Sequence, residues 1–307
     1  MVKVLDRIKT GEVLIAEGAL GTEQQKRGLE QGDCGEEWNL ILPETVLEIH
    51  RSYIDVGVDL IYTNTFGGTM LRLMEHRQKG RLQEVQSLGI DPDDLETVSY
   101  QVNVQGAMLA RKAVAETGCL VAGDLGPTAG DKLITGAFTP QQVMDSYRQQ
   151  AIALRDGGVD LLVMETVFDP EESRLACRAI KDLGLPLLVS VAITRRNLQG
   201  VPATDFGILI NQLPSLYPDA HILGVNCGQD INLTLEAVEC LSHVTEKPIL
   251  AKPNAGVPEV VKGKVVYSLE PSDMAQYTRK FLEAGANIIG GCCGTTPEHI
   301  VAIRESI

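Results

Sequence analysis

One unit recurs along this chain: a short apolar run rich in β-branched residues, closed by glycine or a polar residue and followed by a helical pattern. The runs are "VLIAEG" from Val13, "DLIYTNTF" from Asp59, "CLVAGDLG" from Cys119, "DLLVMETV" from Asp160, "PLLVSVAI" from Pro186, "HILGVNC" from His221, "PILAKPNAG" from Pro248 and "NIIGGCCG" from Asn287. Even the junctions repeat. "DVGVDLI" at Asp55, "DGGVDLL" at Asp156 and "EAGANII" at Glu283 each place a glycine cap at the end of a helix and start a strand at once. Helix starts are marked by Pro43 in "PETVLEIHRSYIDVG" and by the cap residue Thr139 in "TPQQVMDSYRQQAIALRDGG". Strands that are apolar nearly throughout must be buried on both faces, which places them in a parallel sheet covered by helices. Eight such units in 307 residues predict a closed (β/α)8 TIM barrel, a single domain over 1–307, with an open doubly wound sheet as the alternative. The stretch 67–100 is longer than one connection requires. It predicts a helical excursion over one end of the barrel, either an ornament or a lid.

Charge narrows the partners. A formal net charge of -14 argues against a grip on nucleic acid or on an anionic membrane surface, both of which need clustered Lys and Arg. A small molecule is the expected partner. No apolar run approaches the ~20 residues needed to span a bilayer, and the start "MVKVLDRIKTGEV" lacks the apolar segment of a secretory leader, so a cytoplasmic location is expected. Seven cysteines in a chain too large to need disulfide staples point to reduced thiols or metal ligands.

In such barrels the working groups sit at the C-terminal ends of the strands. Here those positions hold Glu17, Thr63, Asn64, Asp124, Glu165, Thr194, Cys227, Asn254, Cys292 and Cys293. Adjacent strand residues point to opposite faces, so Cys292 and Cys293 cannot both be core residues of one face. Cys227 ends the sixth run and the pair ends the eighth, which lets all three sulfurs meet at one rim. Three thiolates without a fourth protein ligand match a zinc site that keeps a coordination position open, as catalysis requires. Gly290, Gly291 and Gly294 permit the sharp turn that aims consecutive side chains at one ion. A disulfide between neighbours, or a structural or redox thiol pair, is the alternative for Cys292 and Cys293. Cys34, Cys119, Cys177 and Cys240 are expected to be ordinary buried thiols. A thiolate-rich zinc favours alkyl transfer onto sulfur, since a bound thiol loses its proton and stays nucleophilic.

The motifs "GALGT" (Gly18 to Thr22), "TNTF" (Thr63 to Phe66), "DLGPT" (Asp124 to Thr128), "METVFDP" (Met164 to Pro170), "GVNC" (Gly224 to Cys227), "PNAG" (Pro253 to Gly256) and "GGCCGTTPEHI" follow one another in order. Together they resemble the zinc-dependent homocysteine S-methyltransferase family, most of all the homocysteine-binding module of cobalamin-dependent methionine synthase. The resemblance implies that Cys227, Cys292 and Cys293 hold zinc and that Glu165 receives the homocysteine ammonium group. Glu17 and the backbone around Gly18 and Ala19 complete the implied amino-acid pocket. Asn64, Thr65 and Asn226 are implied as further pocket residues, with a structural role as the alternative for Thr65 and Asn226. Two departures bear on the acceptor: Glu17 stands where the family usually has Asp, and Arg195 and Arg196 replace a small polar turn.

Members of the family take the methyl group from a sulfonium compound, betaine or a methylated corrinoid protein. Relatives with a sulfonium donor usually carry Arg after the cysteine pair, whereas Gly294 follows it here, which favours a methylcorrinoid donor carried on a separate protein. A betaine site calls for an aromatic cage, and the chain has 4% aromatic residues with Trp38 as its single tryptophan. "DAHILG", from Asp219 to Gly224, matches the cobalt-ligating pattern of cobalamin modules, but His221 enters the sixth strand at the opposite rim, so cobalt ligation is not expected. The activity implied is formation of methionine from homocysteine; the alternatives are the same transfer from a sulfonium donor or betaine, or a non-catalytic thiol-binding or corrinoid-partner subunit.

Overall fold

The computed structural model describes residues 3–79, 82, 84–193, 206–228, 230–261 and 264–307. Thr194, Arg195 and Arg196 lie outside the described residues. The barrel strands are β1 (Leu14–Ile15), β2 (Leu60–Tyr62), β3 (Leu120–Leu125), β4 (Leu161–Val167), β5 (Leu187–Ala192), β6 (Ile222–Cys227) and β7 (Ile249–Pro253). After a hairpin, β8 (Pro258–Val261) and β9 (Lys264–Tyr267), the last barrel strand is β10 (Ile288–Ile289). The eight barrel strands pair in the order β1-β10-β7-β6-β5-β4-β3-β2. A parallel bridge between Ala16 and Leu60 joins the two ends of that order. Beside it the Asp59 N–H donates to the Ile15 carbonyl at 2.7 Å and the Glu17 N–H to the Leu60 carbonyl at 2.9 Å. The ring is therefore closed. This is the (β/α)8 barrel, and the open sheet is ruled out because it would leave two unpaired edges.

Strand alternation builds two cores. Leu14, Leu60, Leu120, Leu161, Leu188, Ile222, Leu250 and Ile288 point into the ring, where helix Lys3–Lys9 adds Val4 and Ile8 as a plug at the bottom. The residues between them, such as Ile15, Ile61, Val121, Leu162, Val189 and Leu223, face outward against the helices. Each side chain so buried contributes roughly 1.5–3 kcal/mol, which is why neither face of a strand can be polar except at its end. Polar chemistry is thus confined to the rims.

The repeated junctions share one geometry. Gly57, Gly158 and Gly285 have φ of 86°, 90° and 103°. Their N–H groups donate to the carbonyls of Ile54, Arg155 and Leu282, three residues back, at 2.9, 2.9 and 3.0 Å. Only glycine takes that left-handed conformation without a steric cost. Thr139 caps helix Pro140–Asp156 with a capping box shared with Gln142.

Within 67–100 the chain forms helix Met70–Gln78, whose cap Thr69 accepts from the Arg72 N–H, a short 3-10 turn at Glu84–Leu88, and the start of helix Leu95–Ala113, which leads back to β3. Its own apolar cluster of Cys34, Leu73, Leu82, Val85, Val98 and Val102 fastens it to the segment before the second strand. The antiparallel hairpin between β7 and helix Pro271–Glu283 is an addition that the strand-helix rhythm does not reveal. Among the described residues no helix is long and apolar enough to cross a membrane.

Candidate active site and thiol centre

A cavity of about 400 Å³ opens at the C-terminal ends of the strands, and Glu17, Asp124, Glu165, Cys227, Cys292 and Cys293 are in its wall. A larger one, of about 990 Å³, lies at the other end, lined by Lys181, Asp219, His221 and Lys247 among others. The size order does not decide which is the site. None of the converging thiols and carboxylates reaches the larger cavity. His221 is there, its Nδ1 accepting the Leu187 N–H at 3.3 Å, so the "DAHILG" stretch sits at the rim opposite the thiols.

The sulfurs of Cys227, Cys292 and Cys293 all lie within 4.8 Å of one another, and all seven cysteines are free thiols. Three strand ends enforce this meeting. The Cys292 N–H donates to the Pro253 carbonyl at 2.8 Å and the Ala255 N–H to the Cys293 carbonyl at 2.9 Å, which locks the β10 turn onto the end of β7. Gly294 follows at φ 81°, and a Cβ there would lie 2.2 Å from the Tyr267 ring, so the hairpin aromatic packs where any side chain at 294 would stand. Cys227 is itself at φ 58°, a conformation that costs a non-glycine residue free energy and that is found where surrounding contacts impose it. Hydrogen bonds from Cys292 and Cys293 hold the Cys227 thiol well below the usual thiol range, while the hydrogen bond each shares with Cys227, reinforced by burial and by the neighbouring charge, pushes Cys292 and Cys293 up.

A second strained residue sits across the mouth. Register slips in β4 between Met164 and Val167, and Thr166 takes φ 59°. This bulge turns Glu165 toward the cavity. Asn226 holds both strained elements: its Oδ1 accepts the Thr166 N–H at 2.9 Å and the Ser190 hydroxyl at 2.7 Å, and its Nδ2 donates to Thr166 Oγ1 at 2.8 Å and lies 3.9 Å from Cys292 Sγ.

The cavity wall gathers three buried carboxyl groups. Burial pushes Glu17 up to about 8 and Glu165 to about 7, the latter despite Lys252, which pulls it down. Burial and the Glu165 charge raise Asp124 well above the carboxylate range. Glu17 Oε2, Asp124 Oδ1 and Glu165 Oε2 are buried and have no hydrogen-bond partner among the described residues. Lys252, 3% exposed, is the cation facing them, with Nζ 3.8 Å from Glu165 Oε2 and 3.5 Å from the centroid of the Tyr62 ring.

The sequence-predicted residues divide by what their side chains do. Glu17, Gly18, Ala19, Asn64, Thr65 and Glu165 all line the thiol cavity. Asn64 already donates to the Gly35 carbonyl at 2.8 Å and to Asn39 at 3.0 Å, and Thr65 donates to the Asp124 carbonyl at 2.8 Å, so both also brace the wall. The Ala19 N–H donates to the Thr295 carbonyl at 3.3 Å. Asn226 is fully buried behind the thiols and does not line the cavity. Trp38 packs with Val46, Leu47 and Leu109, away from it. Lys252, Tyr62 and Tyr267 were not foreseen. The one available signal was a lysine inside the otherwise apolar run "PILAKPNAG".

The raised carboxyl of Glu17 carries a stability consequence. Its folded value, about 8, lies above the ordinary glutamate value of 4.5, so between those limits the folded chain holds a proton that the unfolded chain has released. Stability contributed by the proton is present below the lower limit and is lost as pH rises through the upper one. Glu17→Gln is expected to flatten this decline and to be more stable than the parent at pH 8 by up to a few kcal/mol, at about 1.4 kcal/mol per pK unit. Urea unfolding of metal-free, acceptor-free protein across pH 5–8 measures it; parallel curves for the two proteins would refute the assignment.

The model of the homocysteine S-methyltransferase family matches residues 14–307. Among solved structures, the homocysteine methyltransferase MmuM from Escherichia coli in its metallated form is 26% identical, with a TM-score of 0.72 and 96% of each chain covered. Its oxidized form is also 26% identical over 96% of each chain, with a TM-score of 0.73. A methyltransferase from Methanosarcina mazei, 11% identical at a TM-score of 0.59 over 96% of this chain and 93% of its own, shares the fold alone. With the match running from β1 to the C-terminal helix and taking in every strand end that lines the thiol cavity, the chain belongs to the homocysteine S-methyltransferase family.

Proposed function

We propose that this protein is a zinc-dependent enzyme that moves a methyl group onto the thiol of homocysteine to form methionine, with a methylated corrinoid on a separate protein as donor. The observation that carries the reading is the meeting of Cys227, Cys292 and Cys293 within 4.8 Å in the wall of a cavity that also presents unpartnered buried carboxylate oxygens. An ordinary thiol has a pKa near 8.5 and is mostly protonated at neutral pH. Zinc held by Cys227, Cys292 and Cys293 supplies Lewis acidity that keeps the acceptor sulfur deprotonated while leaving it nucleophilic.

The remaining work falls to the chain's own groups. Glu165, the carboxyl that Lys252 faces directly, offers its oxygens to an ammonium group, whose three N–H donors and positive charge favour the ionised carboxylate, with Glu17 and Asp124 nearby in the same wall. Helix Leu20–Lys26 begins at the cavity just after Gly18 and Ala19, and the N–H groups of its first turn have no intrahelical acceptor, which suits a carboxylate. Lys252 draws the raised carboxyls of Glu17 and Glu165 back down. The acceptor sulfur attacks the methyl carbon in line, and the donor departs with the electron pair of the broken bond. Gly294 beneath Tyr267 supports a corrinoid in preference to a sulfonium, and the Tyr62 face is already taken by Lys252, which argues against a cage for betaine. A cytoplasmic setting, where thiols stay reduced, belongs to this reading.

The test is methionine formation from homocysteine by zinc-loaded protein offered methylcobalamin, a methyl sulfonium and betaine in turn. Turnover with methylcobalamin, proportional to zinc content, is expected. Turnover with the sulfonium alone removes the corrinoid half of the reading, and no thiol methylation from any donor removes all of it.

A further inference from the structure

Cys34 is a buried thiol, as its residue type predicts, and it has ligand-type neighbours. It forms the N-cap of the 3-10 turn Gly35–Glu37, and its sulfur lies 3.5 Å from Glu36 Oε2. The other oxygen of that carboxylate is fixed by the Gly67 N–H at 2.6 Å. From helix Met70–Gln78 comes His76, whose Nδ1 is buried and has no hydrogen-bond partner among the described residues. One ligand atom from each of Cys34, Glu36 and His76 lies within 4.8 Å of the others, the same criterion that the mouth thiols meet. Cys34 and Glu36 are at least nine-tenths buried.

These are three different ligand types on two separate elements. Their neighbours leave them available. Arg72, one turn before His76, donates to Glu75 Oε2 at 2.9 Å, and Lys132 pairs with the other oxygen of Glu75, so the nearby cations already have a carboxylate. We propose that Cys34, Glu36 and His76 form a second site for a divalent transition-metal ion of the zinc type, separate from the three-thiol centre, which ties helix Met70–Gln78 to the turn at 35–37. One sulfur, one nitrogen and one carboxylate oxygen are a donor set that zinc and cobalt accept, and a thiolate with a carboxylate matches the ion's double charge. Binding exchanges the Cys34 proton for the ion: the S–H bond breaks, a sulfur–metal bond forms, and the proton leaves to solvent. Glu36 and His76 also line the thiol cavity. An ion there fastens the first helix of the 67–100 excursion to the barrel mouth, which gives that segment the function of a pinned wall of the cavity.

Cobalt(II) titration of the full chain tests this without reference to activity. Metal-free protein is expected to take up two equivalents. The variant Cys227→Ser/Cys292→Ala/Cys293→Ala, with circular dichroism confirming its fold, is expected to keep one, with a near-ultraviolet charge-transfer band of single-thiolate intensity. Adding His76→Gln to that variant is expected to weaken binding at least tenfold, and adding Cys34→Ser to abolish the band; either substitution suffices if the other prevents folding. Hydrogen exchange in 70–78 should slow on metal addition. No cobalt bound by the thiol-centre variant overturns the proposal, as does binding that His76→Gln and Cys34→Ser both leave unchanged. Failure of the three-thiol reading registers elsewhere, as a parent protein that lacks the multi-thiolate band.

Discussion

Replacing Cys292 or Cys293 by alanine is expected to lower methyl transfer to homocysteine by on the order of 10³-fold or more, a loss of about 4 kcal/mol in transition-state stabilisation. The size follows from the geometry. The three sulfurs lie within 4.8 Å of one another, so on the proposed zinc chemistry each would be one corner of a single site, and losing a corner would remove both the ion and the charge that keeps the acceptor sulfur nucleophilic. Groups that act as a unit give strongly non-additive losses, so the double variant is expected to be no slower than either single one. Metal content and rate, measured on the same preparations, check this. A variant that keeps stoichiometric zinc and parental kcat would refute the assignment, and losses that multiply from single to double would show that the two thiols act independently.

Cys227 adds a control that the other two cannot. Its φ of 58° is a conformation glycine takes freely, and for other residues the left-handed region costs roughly 1–2 kcal/mol. Cys227→Gly is therefore expected to abolish activity while the metal-free protein gains about 1 kcal/mol of stability. Loss of function and gain of stability in one substitution separate a functional thiol from a structural one.

The parts legible in the sequence are those written in local chemistry. Gly57, Gly158 and Gly285 announce helix ends because left-handed backbone admits few other residues, and the apolar runs announce strands buried on both faces. Ring closure then follows from repetition, and with it the convergence of Cys227 with Cys292 and Cys293, whose distance along the chain conceals nothing once strand ends share a rim. Contacts across the ring are different. Glu165 lies on β4 and Lys252 on β7, strands that do not neighbour each other, so no periodicity links them. The bulge that leaves Thr166 at φ 59° has no sequence signature, since a β-branched residue is a poor occupant of that conformation and Asn226 imposes it from another strand. For Asn226 the family resemblance implies a place in the pocket, with a structural role as the alternative. Strand alternation points its side chain into the ring with Ile222, beneath the cavity, where it bonds Thr166 and Ser190 and braces the wall. The hairpin that delivers Tyr267 was hidden for a simpler reason: it interrupts the strand-helix repeat on which the reading relied.

The pairing of Lys252 with Glu165 carries the second large expectation. Lys252 is 3% exposed and Glu165 8%, so neither is solvated by bulk water. Removing one member of such a pair strands the other charge, at a cost of about 3–5 kcal/mol; the 3.8 Å separation argues for the lower end. Lys252→Met is therefore expected to destabilise the acceptor-free protein by about 3 kcal/mol at pH 8, whereas Lys252→Met/Glu165→Gln recovers most of that loss because no unpaired charge remains. The pH sign is fixed by the carboxylate. Glu165 sits at about 7 with Lys252 pulling it down, so without the lysine it holds its proton to higher pH and the variant approaches the parent in stability as pH falls below that value. Homocysteine gives the functional side of the same experiment. In Lys252→Met its ammonium group becomes the cation facing Glu165, so saturating homocysteine should raise the melting temperature of this variant more than that of the parent. Equal stability of the single and double variants at pH 8, or a ligand shift no larger than the parent's, would show that Glu165 faces neither the lysine nor the acceptor's ammonium group in the way the cavity suggests.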